Sequence, residues 1–231
     1  MSVIKTTDLT KVYKQGDYEI HALDGVSVEI ENGEFTAVVG PSGSGKTTLL
    51  NAIGGLDDPT SGSVFVDDQD ITKLKGNKLI DFRMKHIGFV FQAYNLIPVL
   101  TAKENVGFVM LLQGASEAER EARTTELLEA VGLGDIMKKR PNQMSGGQQQ
   151  RVAVARALAP KPAYILADEP TANLDSKSTE NLLDIMARLN KEEGITFIFS
   201  THDQRVIDRA RRVITMEDGK IISDEKRENE I

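Results

Sequence analysis

Apolar and polar positions alternate along the first third of the chain and then change period. Between Ile20 and Ile30 the apolar positions Val26, Val28 and Ile30 recur every second residue, as on a strand with one buried face. Asn32-Gly33 is a tight-turn dipeptide, and Phe35-Thr36-Ala37-Val38-Val39 after it predicts a buried strand. That run ends in a glycine-rich loop, followed by a helical stretch through Leu49, Leu50 and Ile53. Beyond the Pro59-Thr60-Ser61-Gly62 turn, Ser63 to Val66 predicts a second small β element. Residues 101–131, rich in Glu, Ala, Leu and Arg, suit two exposed helices. The last third alternates element types: a strand over Tyr164–Ala167, a helix over 176–193, and a strand over Thr196–Ser200. The helix places Leu182, Ile185, Met186 and Leu189 on one face. A further helix, a strand over Val213–Met216, the Asp218-Gly219 turn and a final short strand follow. Strands alternating with helices around a glycine loop predict an α/β fold with a mostly parallel sheet. The segment from Asp224 to Glu230 is nearly all charge of both signs and reads as a solvated tail.

Composition narrows the function. The chain has 231 residues, 40% hydrophobic and 27% charged, which fits one folded domain, with or without an insertion. No stretch approaches the roughly 20 apolar residues of a membrane span, and the start lacks a signal-peptide pattern. A membrane role therefore requires a partner that supplies the membrane part. The formal charge of −7 disfavours a phosphate-backbone binder, so no nucleic-acid partner is expected. There is no Cys, hence no disulfide framework, thiolate site or cysteine nucleophile, and the three His are too scattered for a metal cluster.

The chemistry concentrates in three places. Gly40-Pro41-Ser42-Gly43-Ser44-Gly45-Lys46-Thr47, with Thr48 following, matches the phosphate-loop pattern G-x-x-x-x-G-K-[ST] at every specified position. Glycines let the backbone wrap closely so that successive N–H groups face phosphate oxygens, and the helix beginning near Lys46 aims its positive end there. Lys46 adds a mobile charge, and the Thr47 hydroxyl can ligate Mg2+. Asp168 and Glu169 close the strand over Tyr164–Ala167, and adjacent strand residues face opposite ways. Asp168 is expected in the magnesium shell and Glu169 as the general base for the attacking water. His202 follows the next strand at its carboxyl end, where α/β active sites lie, and is expected at the γ-phosphate.

Met144-Ser145-Gly146-Gly147-Gln148-Gln149-Gln150-Arg151 discriminates most. Ser145 suits an N-cap, and the glycines permit close approach of an anion to the start of a helix. The run resembles the L-S-G-G-Q signature of ATP-binding cassette (ABC) ATPases, with Met144 in place of Leu, an apolar exchange of similar volume. The resemblance extends over nearly the whole chain and implies a P-loop NTPase, RecA-like core of residues 1–92 and 151–231 with an N-terminal antiparallel β subdomain. It implies an inserted helical subdomain over 93–150. It also implies that two subunits pair head to tail around ATP and Mg2+, Ser145, Gly146, Gly147 and Gln148 of each closing on the other's nucleotide. Tyr13 looks like the aromatic that stacks on adenine, though core packing suits a lone Tyr nearly as well. Gln92 resembles the Q-loop residue that reaches Mg2+ and the γ-phosphate, and Asp175 the D-loop acid, with Asn173 departing from the usual Ser or Ala.

At finer grain, Gly54-Gly55-Leu56-Asp57, Asn95-Leu96-Ile97-Pro98 and Ser145 to Arg151 are similar to ATPases of macrolide-export and lipoprotein-release systems, the MacB/LolD type, with FtsE-type ATPases nearby. That implies an integral-membrane permease in a separate chain and a position at the cytoplasmic face of the cell membrane. The apolar segment Ala93–Thr101 either packs within the helical subdomain or offers a groove to a helix of that partner. Two other classes fit less well. Non-transport ABC ATPases usually carry a coiled-coil insertion or tandem cassettes, and neither is present. A GTPase needs N-K-x-D, whereas Asn77-Lys78-Leu79-Ile80-Asp81 has Asp one place late and lies too early.

Overall fold

The computed structural model describes residues 2–16 and 18–227. In chain order the elements are β1 (Ser2–Gln15), β2 (Tyr18–Val26), β3 (Glu29–Glu31), β4 (Phe35–Val39), α1 (Lys46–Ile53), β5 (Ser61–Val66) and β6 (Gln69–Asp70). Then come α2 (Asn77–His86), β7 (Ile87–Phe91), α3 (Ala102–Leu112), α4 (Glu117–Ala130), α5 (Gly146–Leu158) and β8 (Tyr164–Asp168). The chain continues through α6 (Ser176–Glu193), β9 (Thr196–Ser200), α7 (Gln204–Arg209), β10 (Arg212–Glu217) and β11 (Lys220–Lys226).

Two sheets organise the chain. The larger runs β11-β10-β4-β9-β8-β7, parallel throughout except for antiparallel β11 at its edge. The smaller is antiparallel, β2-β1-β5-β6, with β3 also paired to β1. Both faces of the parallel sheet are covered, so its central strands are mostly apolar, and the polar Thr36, Thr196 and Ser200 within them are buried too. Alternation sorts their side chains. Phe197 and Phe199 of β9, with Ile165 and Ala167 of β8, pack toward α5 and α6, and the Phe35 ring lies tilted against both phenylalanines at centroid distances of 5.7 and 4.6 Å. Ile198, Tyr164 and Leu166 point the other way, into a second core shared with α1 and the antiparallel sheet. The Tyr164 hydroxyl, fully buried, donates to the Ile53 carbonyl at 2.7 Å and so ties α1 to β8.

The alternating run from Ile20 to Ile30 divides into β2 and β3, yet Val26, Val28 and Ile30 are all buried, as the period requires. β1 and α2 carry no comparable signal; α2 buries only Phe82. The segment beginning at Asp224 is not a free tail. β11 extends to Lys226, and Asp224 receives two 2.7 Å bonds from Arg212, a guanidinium buried between that acid and Glu34. Charge alone hides a strand whose partner is an ion-paired neighbour. Residues 228–230 of that segment lie outside the described residues. α5 runs unbroken through residue 150, where the helical segment was expected to hand back to the core. No helix among the described residues is long and apolar enough to cross a membrane.

Candidate functional site

The loop between β4 and α1 wraps because its glycines take conformations that side chains resist: φ is +146° at Gly40, +82° at Gly43 and +101° at Gly45. α1 begins with no side-chain cap and no acid in its first turn, so its leading N–H groups are left for an anion. Lys46, largely buried, folds over the loop and donates to the carbonyls of Gly40 and Pro41, both at 2.9 Å. The Ser44 hydroxyl inside the loop is buried without a protein partner. Uncapped amides, an ammonium and an orphaned hydroxyl form a cradle that fits a polyphosphate.

Parallel pairing brings the ends of β8 and β9 to this loop, since Ser200 is the register partner both of Val38 in β4 and of Asp168 in β8. Thr47 of α1 donates its hydroxyl to Asp168 at 3.0 Å. These two hard oxygen donors beside the phosphate cradle fit a magnesium ion that takes its remaining ligands from water and phosphate. Glu169 lies just beyond β8 with φ +46°, a left-handed conformation uncommon outside glycine. Its amide donates to the Ser200 carbonyl at 2.8 Å, and its carboxylate sits 2.8 Å from Nδ1 of exposed His202. Together these groups line a cleft of about 560 Å³ that includes Gly40, Lys46, Thr47, Gln92, Glu169 and His202. Ser42, Gly43, Gly45 and Thr48 line it as well, with Asp168 held against it through Thr47. Ser200, absent from the sequence expectations, lines it too, its hydroxyl buried without a protein partner. A lone serine ending an apolar strand carries no motif signal.

Gln92 follows β7 at the start of a constrained turn. Tyr94 and Asn95 adopt φ of +57° and +50°, and Arg156 of α5 holds both carbonyls, at 2.9 and 2.5 Å. Burial pushes the Arg156 guanidinium down from its ordinary value. The Asn173 amide donates to the Gln92 carbonyl at 3.0 Å, so the residue that departs from the usual Ser or Ala tethers the Gln92 turn.

The signature run stands apart from this cleft. Ser145 and Gln148 form a reciprocal capping box at the start of α5, with the Ser145 amide donating to the Gln148 side chain at 2.9 Å. Met144 is buried in the core, and the helix start expected to survive the Leu-to-Met exchange is intact. A Cβ on Gly147 would lie 2.8 Å from the Ser178 hydroxyl, and one on Gly146 would lie 2.9 Å from the Tyr94 hydroxyl. Asp175 caps α6, accepting from the Ser178 amide and hydroxyl at 2.9 and 2.8 Å, and those bonds hold its carboxyl below the ordinary range. None of Ser145, Gly146, Gly147, Gln148 or Asp175 lines the phosphate cleft of its own chain. Tyr13 is also outside it: half exposed on β1, its hydroxyl donates to Asp57 at 2.5 Å.

The ABC transporter family model matches residues 23–172. An uncharacterized ABC transporter ATP-binding protein of Thermotoga maritima is 47% identical over 97% of this chain and 96% of its own length. A macrolide export ATP-binding/permease protein, MacB, of Mannheimia succiniciproducens is 46% identical over 97% of this chain, which spans only 35% of that protein. Among solved structures, the dimeric post-hydrolysis state of the ATP-binding cassette MJ0796 bound to ADP and Pi superposes with a TM-score of 0.90 at 44% identity. It covers 98% of this chain and 100% of that one. MJ0796 is a protein of Methanocaldococcus jannaschii. With the family model matched over residues 23–172 and the whole fold shared at this identity, the chain belongs to the ABC transporter family as an ATP-binding, ATP-hydrolysing subunit.

Proposed function

We propose that this chain hydrolyses ATP within a head-to-tail homodimer and so drives a separate integral-membrane permease of the macrolide-export or lipoprotein-release type. One observation carries the dimer: the signature run, with its paired glycines at a helix start, lies outside the chain's own phosphate cleft. A second copy gives it a nucleotide to close on. The dimeric MJ0796 cassette structures support this arrangement, and the MacB relatives support the permease type.

In this reading the loop amides and Lys46 bind the phosphates, and Tyr13 stacks on adenine. Thr47, Asp168 and Gln92 would hold a magnesium ion, which when bound would neutralise developing phosphate charge. Glu169 accepts a proton from a water whose oxygen bonds to the γ-phosphorus, while the bond from that phosphorus to the β–γ bridging oxygen breaks and ADP leaves with the electron pair. His202 donates through Nδ1 to Glu169 and keeps that carboxylate aimed. Ser145, Gly146, Gly147, Gln148 and Asp175 act across the dimer interface. Residues 93–150 form the helical subdomain that carries the signature. A groove of about 350 Å³, walled by Phe89, Phe91, Ile97, Phe108 and Ala157, is the apolar seat for a helix of the permease. Assembly there places the chain at the cytoplasmic face of the cell membrane.

The test is Glu169→Gln with Mg-ATP, followed by light scattering across a concentration series. The variant is expected to bind ATP, to lose turnover and to become a dimer that the nucleotide-free protein does not form. Tight Mg-ATP binding by a species that stays monomeric at every concentration overturns the shared-site mechanism.

A further inference from the structure

Tyr13 is an exposed aromatic side chain, yet it is not free. Its hydroxyl donates to Asp57 Oδ2 at 2.5 Å. The other oxygen of Asp57 accepts from Lys11 at 2.5 Å, and the same ammonium donates to the Asp58 carbonyl at 2.6 Å. Lys11 also stands over the Tyr13 ring, 5.0 Å from its centroid. Burial raises the Tyr13 phenol and the adjoining Asp57 carboxylate raises it further, so it remains a proton donor. Burial pushes the Asp57 carboxyl up, but the bonds from Lys11 and Tyr13 outweigh that and hold it below the ordinary range.

The segment carrying Asp57 is itself fixed to both neighbours. The amides of Leu56 and Asp57 return to the Asn51 carbonyl inside α1, at 2.8 and 3.3 Å. Thr60 binds β1 twice: its amide donates to the Thr10 carbonyl at 2.8 Å, and its hydroxyl accepts from the Val12 amide at 2.9 Å. β1 shifts register on either side of Lys11, which frees this stretch of strand to meet residues 57–60. The helix that begins with Lys46 and Thr47 is thus linked to the Tyr13 ring through one carboxylate, and Thr48 lies beside the same hydroxyl.

We propose that Asp57 is a positioning residue for the nucleotide base: by pinning the Tyr13 hydroxyl it presents the ring at a fixed place relative to the phosphate loop. This rests on the reading of Tyr13 as the adenine platform. An unpinned aromatic side chain must be ordered when the base arrives, which weakens binding about 3- to 10-fold. Loss of the stacking surface itself weakens it about 10-fold or more. Neither loss touches the phosphates, so both fall on the preference for a nucleotide over a base-free ligand.

The experiment is calorimetric titration of the full chain with Mg-ADP and with Mg-pyrophosphate, taking the ratio of the two dissociation constants. Asp57→Ala is expected to lower the preference for ADP about 3- to 10-fold with pyrophosphate binding within twofold of the parent. Tyr13→Phe, which keeps the ring and removes only the hydroxyl, is expected to match it, and Tyr13→Ala to exceed it. Combining Asp57→Ala with Tyr13→Ala should add nothing to Tyr13→Ala alone. If Tyr13→Ala lowers the preference while Asp57→Ala and Tyr13→Phe leave it unchanged, the positioning role is overturned and the platform stands. If Tyr13→Ala leaves the preference unchanged, the platform falls and the role of Asp57 with it. Equal weakening of ADP and pyrophosphate by Asp57→Ala also overturns the proposal, because it places the damage in the phosphate loop.

Discussion

Gly43 and Gly45 sit two residues apart in the same loop with similar backbone signs, but the space around them differs, and Ala substitutions separate the two effects. At Gly43, φ is +82° and a Cβ would meet nothing within 4 Å. Alanine there bears only the left-handed conformational strain, about 1–2 kcal/mol, offset by about 0.4–1 kcal/mol from the stiffer unfolded chain. The net loss is about 1 kcal/mol. At Gly45, φ is +101° and a Cβ would fall 2.3 Å from the Ala22 carbonyl oxygen and 3.3 Å from Leu23 Cδ2 and Met216 Cε. The closest obstacle is backbone of β2, so no rotamer change relieves it. Overpacking adds about 1–3 kcal/mol, for a total of about 2–4 kcal/mol. The assay is equilibrium urea unfolding without nucleotide, supported by thermal melts in which each kcal/mol moves Tm by about 2–4 °C at this chain length. Gly45→Ala should also lose ATP turnover about 100-fold, because relieving the clash displaces the loop by about 1 Å. Equal stability losses for the two variants would refute the reasoning, since they would show that φ alone, and not the approach of β2, sets the requirement for glycine.

Two further outcomes test the site. Thr47→Val is expected to weaken magnesium-dependent ATP binding about 10-fold or more while leaving ATP binding in EDTA unchanged; equal losses in both conditions would remove Thr47 from the metal shell. Asp203 at the start of α7 is held below its ordinary 3.8 chiefly by hydrogen bonds from Arg205, against the opposing effect of burial and with help from the Thr171 hydroxyl. A depressed folded pKa stabilises fully above the ordinary value and loses that contribution as pH falls through the folded one. Melts from pH 6 to pH 3 should therefore show the deficit of Asp203→Asn shrinking with acidification, and a constant gap would contradict the linkage.

The phosphate loop, the acid pair at a strand end and the signature run are legible in sequence because each is a local arrangement: a few consecutive residues specify the turn, the helix start and the charge. Asn32-Gly33, the strand at Phe35–Val39 and the helix ending near Glu193 follow from the same local rules. The antiparallel sheet is less legible. β1 is irregular in register and pairs with three strands, so its side chains face several neighbours and no single period survives. The charged stretch after Asp224 misleads for a related reason: Arg212 and Glu34, distant in sequence, turn surface-type residues into a buried ion-pair network.

Residue types alone determined that this chain handles a nucleotide. Tertiary structure decided which groups share a cleft. Parallel pairing of β9 with both β4 and β8 sets Asp168 against Thr47 and Glu169 against His202, contacts that span 121 and 33 residues of chain. The fold also keeps Ser145–Gln148 out of that cleft and fastens Tyr13 to Asp57. The physical reason is range: turn and cap chemistry acts over three or four residues, whereas the meeting of strand ends depends on how the whole core closes.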